Sequence, residues 1–126
     1  MWQHINLNPK GKSVGDCTVR AIAIATGSAW FNTYLDLCII GMIMADMPSA
    51  NAVSTAYLKR NGVRRRTIPD DCPDCYTIED FCKDHPQGVY VIGTGSHLTT
   101  VIDGTLFDSW NSLAETPVYY FEKSED

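Results

Sequence analysis

The first half of the chain carries apolar residues at helical spacing. Residues 16–26 predict a short buried helix that ends at Gly27. A second helix is predicted over about 29–47, with Ser28 as its cap, and a third helix is predicted from its cap Ser49 to Asn61-Gly62. Residues 1–14 show no periodic pattern and are rich in Asn, Gly and Pro, which favours a loop.

The second half of the chain changes to short apolar runs that alternate or are bounded by turn residues. A capping box at Thr77–Asp80 predicts one more short helix, which stops near Pro86. Strands are predicted at residues 63–68, 89–92, 97–102, 105–110 and 117–122. Helices that precede an antiparallel sheet are typical of the α+β class, and we expect one domain over residues 1–126, with the N-terminal helices packed on the sheet.

The apolar set of the second predicted helix covers more than one face. It includes Trp30, Phe31, Leu35, Ile39 and Ile43. A helix of this kind is expected to be enclosed by its own chain or paired with another one. A homodimer is therefore one predicted form of the protein.

Composition narrows the functional class. The 126 residues are 44% hydrophobic and 20% charged, and the net charge is −5, which disfavours nucleic acid as a partner. No apolar run reaches membrane-spanning length, and no secretory signal pattern opens the chain, so no membrane association is expected. The five cysteines cannot all pair within one chain, which favours reduced thiols and a cytoplasmic location.

A predicted hairpin brings a base and an acid together. Asp103-Gly104 is a strong two-residue turn signal, and it would pair Ile102 with Thr105 and continue outward. In that register His97 and Asp108 are diagonal neighbours on one face, within hydrogen-bond reach. Trp110 shares this face and could shield the contact between them from water.

Cys17 is the candidate nucleophile. It follows Gly15-Asp16 and falls in the first turn of the first predicted helix, where the helix dipole favours a thiolate. An imidazolium at His97 would stabilise the same thiolate, and Asp108 would orient the ring. Cys17, His97 and Asp108 then form a nucleophile, a base and an orienting acid, with Asp16 and Trp110 supporting them.

These residues resemble the papain-like cysteine peptidase superfamily, in which a cysteine opens an N-terminal helix and a histidine comes late in the chain. Residues 97–104 are similar to the histidine strand of that superfamily, and residues 108–111 are similar to its Asn-Ser-Trp-Gly motif, with Asp in place of Asn. Residues 8–27 resemble in particular small members encoded by bacteria and bacteriophages, which share Asn-Pro-Lys-Gly-Lys, Gly-Asp-Cys-x-x-Arg-Ala and Thr-Gly.

The resemblance implies a papain-like fold and a peptide or isopeptide substrate, with hydrolysis by a Cys-His-Asp triad. The glutamine that papain carries six residues before its cysteine is Gly11 in this chain. Asn8 is therefore the expected oxyanion donor beside the Cys17 backbone N–H, with Asn6 and Gln3 as alternatives. The same triad also supports deamidation or acyl transfer, and a non-enzymatic interaction module on this fold is the alternative function.

Two further groups of residues have open interpretations. Cys72, Cys75, Cys82 and His85 have a spacing that zinc could accept. The compact spacing favours instead a loop with reduced thiols and a buried Cys82, so no cofactor is expected and zinc is the alternative. Arg20 either forms an ion pair or tunes the site electrostatically. The basic residues between positions 59 and 66 are either solvated or bind an acidic peptide.

Overall fold

The computed structural model describes residues 1–68 and 76–123. The described part contains four helices and six strands, with three consecutive helices near its start and four consecutive strands at its end. The α+β class predicted from the sequence is confirmed. The elements are β1 (Trp2–His4), α1 (Cys17–Thr26), α2 (Trp30–Met44), α3 (Asn51–Arg60), β2 (Val63–Thr67), α4 (Ile78–Asp84), β3 (Val89–Gly93), β4 (Leu98–Ile102), β5 (Thr105–Asp108) and β6 (Tyr119–Lys123).

All six strands form one sheet in the order β1-β5-β4-β3-β6-β2. The β4–β5 hairpin has the predicted register, with Ile102 opposite Thr105. Asp103 and Gly104 have φ angles of 51° and 77°, which is the left-handed conformation that a tight turn of type I′ requires. Every pair of neighbouring strands is antiparallel except β1 and β5, which run parallel.

Helices cover both faces of the sheet. Buried residues of α1, α2 and α3 form one apolar cluster with Val63, Val91, Leu98 and Phe121 of the sheet. On the opposite face, α4 packs Phe81 and its neighbours against the other side chains of β3, β4 and β5. The expected packing of the N-terminal helices on the sheet is present, and α4 adds a third layer.

The strand β1 was not predicted, and the prediction of a loop over residues 1–14 is wrong for residues 2–4. Three residues are too few to show an alternating pattern. Its partner is also distant in sequence: β1 pairs with β5, and the Trp2 indole N–H donates to the Asp108 carbonyl at 3.2 Å. Only the folded sheet brings these segments together.

The outer face of α2 is not enclosed by the described residues of this chain. Leu37 is fully buried, but Phe31 is 64% exposed, Ile43 67% and Met42 75%. The prediction that the chain encloses this helix is therefore wrong, and pairing with a second copy stays a prediction. No described helix is both long and apolar enough to cross a membrane.

The chain turns back sharply after α2, which ends at Met44 and not near residue 47 as predicted. Ala45 adopts a left-handed conformation, and the Asp46 N–H donates to the Gly41 carbonyl at 2.8 Å. This return brings residues 46–48 onto the helix where Gly41 has no side chain. A Cβ at Gly41 would lie 2.8 Å from the Asp46 carbonyl oxygen and 3.3 Å from the Pro48 nitrogen.

We therefore expect Gly41→Ala to destabilise the protein. The overlap is with backbone atoms, and overpacking of about 1–3 kcal/mol exceeds the helix-propensity gain of up to about 1 kcal/mol. Asn32→Ala, at an exposed position of the same helix, is the matched control and should change the free energy of unfolding by no more than about 0.5 kcal/mol. Urea unfolding measures both, and an unchanged or higher stability of Gly41→Ala would contradict the expectation.

Candidate active site

The β4–β5 hairpin brings His97 and Asp108 into contact. The sequence placed both residues in strands. Asp108 lies in β5 as predicted, as its last residue, whereas His97 lies just before β4. The contact expected from the register is nevertheless present: Nε2 of His97 and Oδ2 of Asp108 are 2.6 Å apart. Because an ionised carboxylate only accepts, His97 donates from Nε2, and Nδ1 is the nitrogen left for a second partner.

Asp108 is buried and held by several donors. Arg20 Nη1 lies 3.3 Å from Oδ1, and the backbone N–H of Ser109 donates to the same oxygen at 2.7 Å. The Ser112 hydroxyl donates to Oδ2 at 3.1 Å. Burial by itself would raise the pKa of Asp108, but the hydrogen bond from His97, its positive charge and the Ser109 N–H lower that pKa overall. Asp108 is therefore ionised and fixed in orientation.

Asp16 joins the N-terminal loop, α1 and α2. It precedes α1 but its side chain does not cap the helix. Its carboxylate instead accepts from Arg20 Nε at 2.8 Å, from the Trp30 indole N–H at 3.0 Å and from Asn8 Nδ2 at 3.2 Å. Burial tends to raise the pKa of Asp16, but these three hydrogen bonds and the Arg20 charge lower it. The supporting position predicted for Asp16 is consistent with these contacts.

Cys17 is the first residue of α1 and is partly buried. Burial tends to raise the pKa of its thiol, but a hydrogen bond from His97 and one from the Leu98 backbone lower it. The charges of His97 and Arg20 lower the pKa of Cys17 further. The first turn of the helix favours a negative sulfur in addition. Geometry and charge together favour a thiolate at Cys17.

His97 is correspondingly favoured as an imidazolium. Burial would lower its pKa, but the hydrogen bonds with Asp108 and Cys17, together with their negative charges, raise the pKa of His97 to about 9. The Trp110 ring lies 4.9 Å from the His97 ring, centroid to centroid, and remains 42% exposed. It covers one side of the imidazole, as expected from the shared face.

Cys17 and His97 open into a common cavity of about 240 Å³. Ser49 and Asn51 border it from the segment that enters α3, and Tyr119 borders it from β6. The sequence did not indicate these three residues or Ser112 as site residues, and Ser49 was expected only as a helix cap. No local sequence pattern indicates that Asn51 and Tyr119 border the cavity, because only the packing of α3 and β6 around Cys17 brings them to it.

Asn8, the expected oxyanion donor, is held within its own loop. Its side-chain oxygen accepts from the backbone N–H groups of Lys10 and Lys12, and its amide nitrogen donates to Asp16. It does not border the cavity that Cys17 and His97 share. In the described contacts Asn8 stabilises its own loop, and its role as the oxyanion donor stays a prediction.

The proposed zinc ligands fall partly outside the described residues, because Cys72 and Cys75 lie in the segment 69–75. Cys82 is buried in the apolar cluster under α4, and burial raises the pKa of its thiol, which disfavours the thiolate that zinc needs. The His85 ring stacks on Phe81 at 3.9 Å, and its Nδ1 lies 2.9 Å from the Phe81 carbonyl oxygen. Cys82 and His85 therefore both pack against residues of α4.

The buried ion pairs of Arg20 predict a large loss of stability for Arg20→Met. Two carboxylates, Asp16 and Asp108, would remain buried without their cation, which costs about 3–5 kcal/mol. Arg66→Met is the matched control, because Arg66 and Glu122 form a pair whose side chains are 52% and 41% exposed. It should cost about 0–1 kcal/mol. Equal losses in urea unfolding would show that Arg20 does not hold the site together.

The lowered thiol pKa predicts selective alkylation of Cys17. At mildly acidic pH iodoacetamide should modify the wild type at this residue, and Cys17→Ala should lose the fast phase of labelling. Cys38→Ala is the control and should keep the wild-type rate. Peptide mass mapping locates the adduct. Equal labelling of the wild type and Cys17→Ala would exclude a reactive thiolate at Cys17.

Comparison with known proteins assigns no relative. No protein-family model, no curated protein and no solved structure matches this chain. Inferences about its function therefore depend on the arrangement of Cys17, His97 and Asp108 and on the resemblance of their motifs to the papain-like superfamily.

Proposed function

We propose that the protein is a thiol hydrolase of the papain-like type, a cysteine peptidase or isopeptidase. The observation that carries the proposal is that Cys17 and His97 border one cavity, while Nε2 of the same His97 lies 2.6 Å from Oδ2 of Asp108. A nucleophile, a base and a group that orients the base are the parts that covalent acyl transfer needs.

Catalysis begins with attack of the Cys17 thiolate on the substrate carbonyl carbon. The new C–S bond forms as the carbonyl π electrons move to oxygen, and collapse of this adduct breaks the bond to the leaving amine. His97 protonates that amine from Nδ1, because its Nε2 is held by Asp108. In the second half, neutral His97 accepts a proton from water as the water oxygen attacks the thioester carbon. Collapse of this second adduct breaks the C–S bond, which returns the Cys17 thiolate beside the His97 imidazolium and releases the acid product.

The oxyanion is stabilised by the start of α1. Because the side chain of Asp16 does not cap this helix, the first-turn N–H groups, that of Cys17 included, are available to a negative oxygen beside the sulfur. Asn51 borders the same cavity and can supply a side-chain amide. It is an alternative to Asn8, whose amide donates to Asp16.

The substrate proposed from the resemblance is a peptide or protein. A reduced cysteine as nucleophile fits a cytoplasmic protein, since the cytosol keeps thiols reduced. Side chains and backbone groups of this chain supply the nucleophile, the base and the oxyanion donors of the proposed steps. The same groups would perform deamidation if the leaving group were ammonia from a side-chain amide.

The test is digestion of a random decapeptide library, with new termini identified by mass spectrometry. We expect cleavage by the wild type, loss of at least 1000-fold in rate for Cys17→Ala, and wild-type cleavage by Cys38→Ala. With a cleaved peptide in hand, kcat/KM should fall as pH rises through about 9, where His97 loses its proton. It should also fall at acidic pH as the thiolate of Cys17 is protonated.

Two outcomes would contradict the proposal. Cleavage that persists in Cys17→Ala would assign the activity to another group or to a contaminant. A wild type that reacts with iodoacetamide at Cys17 but converts no peptide and no amide substrate would favour a non-enzymatic interaction module.

A further inference from the structure

One face of α3 carries a polar stripe that begins at the cavity of Cys17. Asn51, Thr55 and Lys59 follow each other at four-residue spacing, so they share one side of the helix. Asn51 borders the cavity that holds Cys17. Thr55 and Lys59 border a second, larger cavity of about 810 Å³ between α3 and β2. The stripe therefore connects the two cavities along one wall.

The opposite wall connects them as well. Tyr119 of β6 borders the Cys17 cavity, and its register partner Thr67 in β2 borders the second cavity. The guanidinium carbon of Arg65 lies 4.5 Å from the centroid of the Tyr119 ring, a cation–π contact that orients the charge. Gly93 leaves the space for this ring, because a Cβ there would overlap it.

Three cations border the second cavity, Lys59, Arg64 and Arg65, and none has a carboxylate partner among the described residues. Lys59 and Arg65 are exposed and enter none of the ion pairs found in residues 1–68 and 76–123. Arg66, on the other face of β2, is paired with Glu122 at 3.0 Å. The described residues that line the second cavity include no acidic side chain. In a protein of net charge −5, this is a local positive site.

We propose that this basic groove, lined by Asn51, Thr55, Lys59, Arg65, Thr67 and Tyr119, binds an acidic segment of the peptide substrate. The inference rests on the proposed function for the position of the scissile bond. A carboxylate that displaces water from Arg65 gains a charge-assisted hydrogen bond, and Lys59 adds a second positive charge on the facing wall. The groove therefore selects Glu or Asp at a fixed distance from the bond that Cys17 attacks.

The length of the stripe sets that distance. Eight residues of α-helix from Asn51 to Lys59 span about 12 Å at roughly 1.5 Å per residue. An extended peptide advances about 3.3 Å per residue, so about four residues cover the same length. An acidic residue three to five positions from the scissile bond reaches the cations.

The decapeptide library gives the first test. At three to five positions from the cleaved bond, on one side, Glu should be enriched over Gln by about tenfold in wild-type cleavage products, an effect typical of one charge-assisted contact. Arg65→Ala should abolish the enrichment and Arg65→Glu should reverse it in favour of Lys. Arg66→Ala is the matched control, an arginine of the same strand on the other face, and should keep the wild-type preference.

Binding without turnover gives the second test. Fluorescein-labelled hexaglutamate should bind Cys17→Ala about tenfold more tightly than labelled hexaglutamine by fluorescence anisotropy, and the difference should shrink in high salt. Adding Arg65→Ala to Cys17→Ala should remove the difference, whereas adding Arg66→Ala should not. Gly93→Ala, which displaces the Tyr119 ring, should weaken hexaglutamate binding without changing the charge. Thermal unfolding establishes that each variant is folded.

The two proposals fail separately. Cleavage with no acidic preference, or a preference that survives Arg65→Glu, overturns the groove and leaves the thiol hydrolase intact. Hexaglutamate binding that depends on Arg65, without cleavage of any peptide, supports the groove and overturns the hydrolase. Absence of both overturns both.

Discussion

The geometry of the site depends on one buried cation. The guanidinium of Arg20 lies between two carboxylates, 2.8 Å from Asp16 and 3.3 Å from Asp108, in a part of the protein that excludes most water. A charge in such a place is stable only with its partners, so the three side chains fix one another. Asp16 is adjacent to Cys17, and Asp108 is bonded to His97. The same guanidinium therefore fixes the sulfur relative to the imidazole, although α1 and the hairpin are about 80 residues apart in sequence.

This arrangement also determines which side chains of the site are charged. With Asp108 ionised by its donors, His97 keeps a proton on the nitrogen that faces it and is favoured as an imidazolium. The imidazolium and the guanidinium then both favour the thiolate of Cys17 over the thiol. Each carboxylate accepts from more than one donor, and Arg20 is the donor that the two share.

Local signals in the sequence were enough to predict the β4–β5 hairpin and the start of α1. Asp103-Gly104 defines a turn of fixed length, and the turn defines which residues of β4 and β5 are opposite, so the contact of His97 with Asp108 follows from neighbours in the chain. The parallel pairing of β1, the cavity positions of Asn51 and Tyr119 and the exposed face of α2 do not follow in this way. They depend on which segments meet in the folded protein, and a single sequence holds no periodic signal for that.

The arginines of this acidic protein differ in their solvation and in whether a carboxylate already pairs with them. Arg20 is desolvated and saturated by two carboxylates, so it cannot exchange a partner for a ligand. Arg66 is solvated and has Glu122 beside it, so a second carboxylate gains little there. Arg65 is solvated, oriented by the Tyr119 ring and without a described carboxylate partner. Binding of an anion requires a cation that is fixed in place but not yet neutralised. Of these three arginines only Arg65 meets both conditions, and it contacts Tyr119, which borders the cavity of Cys17.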